Sequence, residues 1–212
     1  MQIFSKILVS LFMIEAILLQ NLVALSFEEM VLEDIKPSFD CEAKNLTASE
    51  IEMCDGIGMI PSSYFVVIDN FYASYYSIIV KNIESKDKSK LRQISLQMIK
   101  ERGKVCPNTT FDEGYSSGLN SALSAQCYYY AYSKAFSKIT QFIYNTPAYK
   151  PIFEKIFYPN PKEYYKLITT AKPNNSKSPF DENAEMILEV IKVAAKDNLI
   201  DKNGRILAEI VQ

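Results

Sequence analysis

The chain has 212 residues, of which 48% are hydrophobic and 23% charged, as expected for a globular protein with a substantial core. It contains no histidine, which excludes Ser-His-Asp triads, Cys-His nucleophiles and histidine-containing metal sites. The net charge of −2 and the lack of a basic cluster interleaved with aromatic residues argue against nucleic-acid binding.

The first 26 residues have the pattern of a secretory signal peptide. Lys6 provides the positive charge, an apolar run follows over residues 7–19, and Ala24-Leu25-Ser26 fits a cleavage site before Phe27. Glu15 interrupts the apolar run, so an uncleaved anchor and an amphipathic cytosolic helix stay open as alternatives. The pattern predicts a periplasmic or secreted protein with no membrane span after cleavage.

Four cysteines follow the signal, an even number that is typical of two disulfides in an oxidising compartment. They are Cys41, Cys54, Cys106 and Cys127. Four free thiols are the alternative; a zinc site is disfavoured, because structural zinc sites usually pair cysteines two to four positions apart. Three connectivities are open. The pairs Cys41–Cys54 and Cys106–Cys127 are favoured, because each bond then closes a local loop.

Helix signals begin after the first cysteine. Thr47 and Glu50 have the spacing of a capping box, which predicts a short helix that ends near Cys54. Pro61 suits the first turn of a second helix, because its fixed φ fits there. The next run is rich in β-branched and aromatic residues, but its apolar residues recur every three or four positions, which predicts a helix instead of a strand. This predicted core stripe comprises Phe65, Ile68, Tyr72, Tyr75 and Ile79.

Two further amphipathic helices are predicted in the next part of the chain. The first follows a polar break at residues 84–89 and ends near Gly103. Its apolar residues are Leu91, Ile94 and Met98. A polar loop over 107–118 leads to the longest predicted helix, 119–144. The core stripe of that helix comprises Tyr129, Tyr132, Phe136, Ile139 and Ile143. The run Tyr128–Tyr130 spreads over several faces, so we expect some of its rings to be packed and others exposed.

Prolines punctuate the chain after the longest helix and predict a connecting stretch. They are Pro147, Pro151, Pro159 and Pro161. A short helix is predicted over 162–171, a flexible linker over 172–177, and another helix after a cap signature at Ser178. The apolar side of that helix comprises Ile187, Ile191 and Ala194. A turn at 201–204 precedes a last predicted helix, 205–211.

No motif in the chain indicates catalysis or ion binding. The turn at 201–204 does not fit a calcium loop, because with Gly204 at the sixth position the first and twelfth ligand positions fall on Leu199 and Ile210. The acidic pairs are adjacent residues, which do not face each other across a cleft. We therefore expect no enzymatic activity, no metal and no cofactor.

A series of residues around the cysteines resembles a known family. Ser38-Phe39-Asp40-Cys41 is followed by Glu50 four residues before Cys54, by Asp69 and Tyr76 seven residues apart, by Arg102 four residues before Cys106, and by Cys127. This series, which spans about residues 37–143, resembles the lysozyme inhibitor LprI-like N-terminal domain family of bacterial exported helical modules.

The resemblance implies an exported helical scaffold with the cysteines as its braces. It implies scaffold roles for Phe39, Asp40, Glu50, Asp69, Tyr76 and Arg102. One branch of the family inhibits lysozyme, but the resemblance supplies no inhibitory residue that can be placed in this chain.

The predicted fold is all-α, a disulfide-braced helical bundle with a small C-terminal helical appendage. We expect a signal peptide (1–26), a four-cysteine helical domain (27–145), and a proline-punctuated connector with C-terminal helices (146–212). The expected function is that of an exported non-catalytic binding protein whose partner is another protein, with a lysozyme-like cell-wall hydrolase as candidate. The alternative is a secreted or envelope-associated structural or host-interaction protein without inhibitory activity, in which 145–212 engages the partner.

Overall fold

The computed structural model describes residues 35, 37, 39–46, 48–56, 61–105, 117–170 and 185–208. Within these ranges the chain forms seven helices and no strand, so the predicted all-α fold is confirmed. The helices are α1 (Ala48–Asp55), α2 (Ser62–Asn82), α3 (Ser85–Val105), α4 (Ser117–Asn145), α5 (Lys150–Ile156), α6 (Pro161–Thr170) and α7 (Met186–Lys196). None of these helices combines the length and apolarity needed to cross a bilayer. The predicted signal peptide, the predicted linker at 172–177 and most of the predicted loop at 107–118 lie outside the described residues.

The core lies between α2 and α4, the two helices with the longest predicted apolar stripes. Pro61 is the N-cap residue of α2, directly before the first turn in which its fixed φ predicts it. All ten stripe residues are at most 5% exposed: Phe65, Ile68, Tyr72, Tyr75, Ile79, Tyr129, Tyr132, Phe136, Ile139 and Ile143. The helix α4 contacts α2, α3, α5, α6 and α7, which makes it the centre of the bundle.

Three consecutive tyrosines of α4 are all buried, so the expectation that some of these rings are exposed is wrong. Tyr128, Tyr129 and Tyr130 are only 0%, 5% and 8% exposed. The first two rings pack against Phe65 of α2, and the ammonium of Lys134 lies over the third. Successive helical side chains point about 100° apart, so burying three in a row requires neighbours on several sides. The central position of α4 provides those neighbours.

The polar break predicted at residues 84–89 is shorter in the structure. Only Ile83 and Glu84 separate α2 from α3, and Ser85 begins α3. Asp87 lies in the first turn of α3, where the helix dipole favours a carboxylate, and it accepts a hydrogen bond from the hydroxyl of Tyr149. These polar residues therefore begin a helix instead of separating two helices.

The helix α5 lies in the stretch that was predicted to be only a connection. Pro151 occupies its first turn, a position where proline stabilises the start of a helix. Pro161 begins α6 in the same way. The apolar side of α5 packs into the core through Ile152, Phe153 and Ile156. Pro151 and Pro161 lie at helix starts. The interpretation of the prolines as signs of a connecting stretch therefore does not predict α5.

The described end of the chain is a turn. The prediction of a helix over 205–211 is therefore wrong for residues 205–208. Gly204 has a φ of +82°, a conformation that reverses the chain and that residues with a side chain rarely adopt. Ile206 then pairs with Ile200 in an isolated antiparallel bridge. Residues 209–211 lie outside the described part of the chain.

This turn is fixed to α2 by hydrogen bonds and by close packing. The side-chain amide of Asn70 donates to the carbonyl oxygen of Asn203 at 2.9 Å, and the N–H of Ile206 donates to the hydroxyl of Ser74 at 3.0 Å. A Cβ at Gly204 would lie 2.9 Å from Cγ1 of Val67, so the turn approaches α2 more closely than a side chain allows.

The helices after residue 145 contribute to the same core as the helices before it. The buried apolar residues of both parts form one continuous cluster. Buried hydroxyls of α4 serve neighbouring elements on both sides: Ser133 accepts the N–H of Ile187 of α7 at 3.1 Å, and Thr140 bonds the hydroxyl of Tyr75 at 2.9 Å. The domain boundary at residue 145 stays a prediction, but the helices before and after it pack into one hydrophobic core.

Candidate functional site

The structure confirms one of the two favoured disulfides. Cys41 and Cys54, which are 13 positions apart, are bonded and join a turn to α1. The carboxylate of Asp40 shapes this turn, because it accepts the N–H of Glu42 at 3.0 Å. We call residues 39–55 the disulfide segment. Cys106 and the side chain of Cys127 lie outside the described part of the structure, so their pairing stays a prediction.

The disulfide segment is anchored by apolar side chains and presents carboxylates to solvent. Met53 is 3% exposed, Phe39 packs against the core, and α1 contacts both α2 and α3. Ile51 of α1 is 47% exposed. The exposed acidic residues of the segment are Asp40, Glu42 and Asp55. Ile51 and Asp55, which are four positions apart on α1, therefore present an apolar side chain and a carboxylate on a segment that the core and the disulfide hold in place.

The charge of the disulfide segment is strongly negative. Its sequence contains five acidic residues and one lysine, Lys44. The acidic residues are Asp40, Glu42, Glu50, Glu52 and Asp55. Within the described part of the chain, no three acidic or cysteine side chains gather as a possible metal-ligand set. Exposed carboxylates and an exposed isoleucine on one segment are suited to contact with a basic protein surface.

A second polar group lies inside the bundle around Asp69. The hydroxyl of Tyr132 donates to Asp69 Oδ1 at 2.5 Å, and the hydroxyl of Tyr128 donates to that of Tyr132 at 3.3 Å. The ring of Tyr72 meets that of Tyr132 edge-on with centroids 5.4 Å apart, and its hydroxyl lies 2.8 Å from that of Ser95. These contacts connect α2, α3 and α4.

The structure places the residues matched to the family on three elements. The first group belongs to the disulfide segment and comprises Phe39, Asp40 and Glu50. Asp69 and Tyr76 lie on α2, where the Tyr76 ring stacks on Tyr72 with centroids 6.4 Å apart. Arg102 lies on α3, but its side chain is not among those described. Asp40 and Asp69 each accept a hydrogen bond from a nearby residue, Asp40 from the N–H of Glu42 and Asp69 from the hydroxyl of Tyr132. Such bonds are typical of residues that stabilise a scaffold.

Burial changes the acidity of the core tyrosines. It raises the pKa of Tyr72 to about 12, with Tyr76 and the charge of Asp69 adding to the effect while a hydrogen bond with Ser95 opposes it. Burial is also the main cause of a raised pKa at Tyr75, Tyr129 and Tyr164. These hydroxyls stay neutral at physiological pH, so each can donate a hydrogen bond.

We expect the protein to lose stability as the pH rises from about 10 to about 12. An unfolded tyrosine ionises near pH 10, whereas Tyr72 in the folded protein does so near 12. The resulting stabilisation is present in full below the unfolded pKa and is lost as the pH rises through the folded pKa. Two pKa units correspond to about 3 kcal/mol for one group.

Urea unfolding followed by circular dichroism at several alkaline pH values measures this loss. Tyr72→Phe is the matched variant and should lose less of its stability over the same interval, because one ionisable hydroxyl is gone. An unfolding free energy that stays constant up to the folded pKa contradicts the prediction.

The net charge of the whole chain conceals a basic helix, α3. Its sequence contains seven basic and two acidic residues. The basic residues are Lys86, Lys88, Lys90, Arg92, Lys100, Arg102 and Lys104, and the acidic ones are Asp87 and Glu101. Sequence reasoning predicted this helix but missed its positive charge, because acidic residues elsewhere balance it in the net charge of the chain. A charge count in windows along the chain would have found both the basic helix and the acidic disulfide segment.

No protein-family model, curated protein or solved structure matches the chain. The resemblance to the lysozyme inhibitor LprI-like family therefore stays an expectation from the spacing of the matched residues. A functional assignment has to rest on the geometry and charge of this chain.

Proposed function

We propose that the protein is an exported, non-catalytic binding module whose disulfide segment contacts a basic protein, with a lysozyme-like cell-wall hydrolase as candidate partner. The observation that carries the proposal is the Cys41–Cys54 bond, which holds a segment with the exposed carboxylates of Asp40, Glu42 and Asp55. A segment restrained before binding loses less conformational entropy when the partner arrives.

The disulfide also supports a location outside the cytosol. Structural disulfides persist in oxidising compartments and are rare where thiols are kept reduced. The signal-like pattern of residues 1–26 agrees with export. The proposed location is therefore the periplasm or the exterior of the cell.

Charge complementarity favours a cationic partner and one direction of approach. Carboxylates of the disulfide segment attract a basic surface, and Ile51 offers an apolar contact on the same segment. The basic helix α3 repels the same partner. Opposite charges on two parts of one molecule orient the encounter, which raises the association rate.

The purified protein without residues 1–26 is expected to inhibit a lytic assay with a basic lysozyme. Glu42→Gln combined with Asp55→Asn should weaken inhibition by roughly tenfold, mainly through slower association, because exposed charges steer the encounter. Glu163→Gln combined with Glu189→Gln is the matched control, since it removes two exposed carboxylates from α6 and α7. The control should inhibit like the unchanged protein.

Two results decide against this proposal in different ways. A lack of inhibition and of complex formation with several lysozymes rules out the inhibitor function. Equal weakening by the control pair shows that overall charge matters and that the disulfide segment is not the contact surface.

The alternative, in which residues 145–212 engage a structural or host partner, is supported by one observation. The ring of Tyr158, between α5 and α6, is 72% exposed, and exposed tyrosines are enriched at protein interfaces. Truncation at Asn145 is an unsuitable test, because Ile187 and Ile191 of α7 fill the shared core. Tyr158→Ser leaves the core intact. Partner binding that is lost in this variant but kept in the Glu42/Asp55 variant favours the alternative.

A further inference from the structure

The outward side of α3 combines cations with apolar side chains. Leu96 and Ile99 are 54% and 51% exposed, and Arg92 and Lys100 are exposed near them. Helical residues four positions apart share a face, so Arg92, Leu96 and Lys100 form a line along the outside of the helix, with Ile99 beside it. We call these four residues the α3 outer face.

The other side of α3 is buried against the bundle. Leu91 and Met98 are at most 4% exposed. Both acidic residues of α3 are engaged by other helices or loops: Glu101 accepts two hydrogen bonds at 3.1 Å from the ammonium of Lys134, and Asp87 accepts one from Tyr149. The carboxylates of α3 are therefore held by partners on the core side. The charged side chains of the outer face are both cations.

Two cations near the start of α3, Lys86 and Lys90, are also engaged, which distinguishes them from those of the outer face. Lys86 forms an ion pair with Glu84 at 2.8 Å, and the ammonium of Lys90 lies 4.2 Å from the centroid of the Phe142 ring. Arg92 and Lys100 form no ion pair with the described residues. Arg92 and Lys100 thus offer their charges to an external ligand next to Leu96 and Ile99.

We propose that the α3 outer face binds the anionic surface of a lipid bilayer, with the helix lying in the plane of the membrane. Lys and Arg side chains are attracted to anionic headgroups, and aliphatic side chains on the same face enter the boundary between headgroups and acyl chains. A nucleic acid would use the cations but would leave two exposed aliphatic residues without a matching contact. The combination of both residue types favours the bilayer.

The proposal is independent of lysozyme inhibition, because it involves a different face and a different readout. The test is flotation of the protein without residues 1–26 with vesicles of phosphatidylcholine alone or of phosphatidylcholine mixed with phosphatidylglycerol. We expect binding to the anionic vesicles only, and weaker binding as the salt concentration rises.

Two double variants separate the electrostatic and apolar parts of the interaction. Arg92→Gln with Lys100→Gln should lower the affinity for anionic vesicles by about fivefold for each charge removed. Leu96→Gln with Ile99→Gln should lower it by about tenfold or more. The matched control is Lys162→Gln with Lys166→Gln, which removes two exposed cations from α6 and should bind normally. All variants change exposed residues, and circular dichroism verifies that each one folds.

Several outcomes overturn the proposal. They are a lack of binding to anionic vesicles, equal binding to neutral vesicles, and an equal loss in the α6 control. A dimer in sedimentation velocity that Leu96→Gln dissociates would assign the face to a second copy of the chain. Binding to an acidic protein or RNA without binding to vesicles would assign it to that macromolecule.

Discussion

Phe136→Ala is expected to lower the free energy of unfolding by about 3–5 kcal/mol, the largest effect of any substitution considered for this chain. Phe136 of α4 is fully buried, with its ring centroid 4.6 Å from that of Tyr75 and 5.5 Å from that of Phe71. A hydrogen bond between the hydroxyls of Tyr75 and Thr140 also fixes Tyr75. The rings around the lost side chain are therefore held apart, and the cavity cannot close easily.

Urea unfolding followed by circular dichroism measures this loss. Leu96→Ala is the comparison, because Leu96 is 54% exposed and its removal creates no cavity. We expect that variant to lose less than about 1 kcal/mol. A loss of similar size in both variants would show that Phe136 does not lie at the centre of the core.

Replacement of both Cys41 and Cys54 by serine is expected to cost about 3 kcal/mol, because a bond across a loop of this length restricts the unfolded chain. The loop spans 13 positions. For a protein of this size the thermal midpoint should fall by about 6–12 °C. Inhibition should weaken as well, because the disulfide segment then loses conformational entropy on binding.

Thermal unfolding with and without a reducing agent provides the control. A reducing agent should lower the midpoint of the unchanged protein to that of the double serine variant or below. A further decrease in the variant itself would reveal the second predicted bridge, between Cys106 and Cys127. An unchanged midpoint in the variant contradicts a structural role for the first bridge.

The core of the fold was predictable because it follows a local rule. Apolar residues spaced three and four apart lie on one side of a helix, and the stripes of α2 and α4 are buried as this spacing predicts. The disulfide at Cys41 and Cys54 was predictable for a similar reason, since a short loop favours its closure. The fixed φ of Pro61 also predicted a helix start there, and α2 begins at the next residue.

The predictions that were wrong concern residues whose burial or conformation depends on tertiary contacts. The exposure of Tyr130 depends on how many helices surround α4, which no local pattern contains. The described end of the chain forms a turn in which Gly204 packs on Val67, a residue far away in the sequence. The charged surfaces were missed for a different reason, since the net charge of −2 sums an acidic segment and a basic helix. The candidate site was therefore predicted at its cysteines but not in its electrostatics.

The hydrogen bond between Ser133 and Ile187 has a consequence for the autonomy of α7. Glu185 at the N-cap of α7 provides no side-chain bond to the helix, and the hydroxyl of Ser133 in α4 accepts the N–H of Ile187 instead. With 11 residues, α7 is also shorter than helices that persist alone in water. Separation of α7 from α4 therefore also breaks the hydrogen bond that caps α7, so we expect α7 to detach and unwind in a single event.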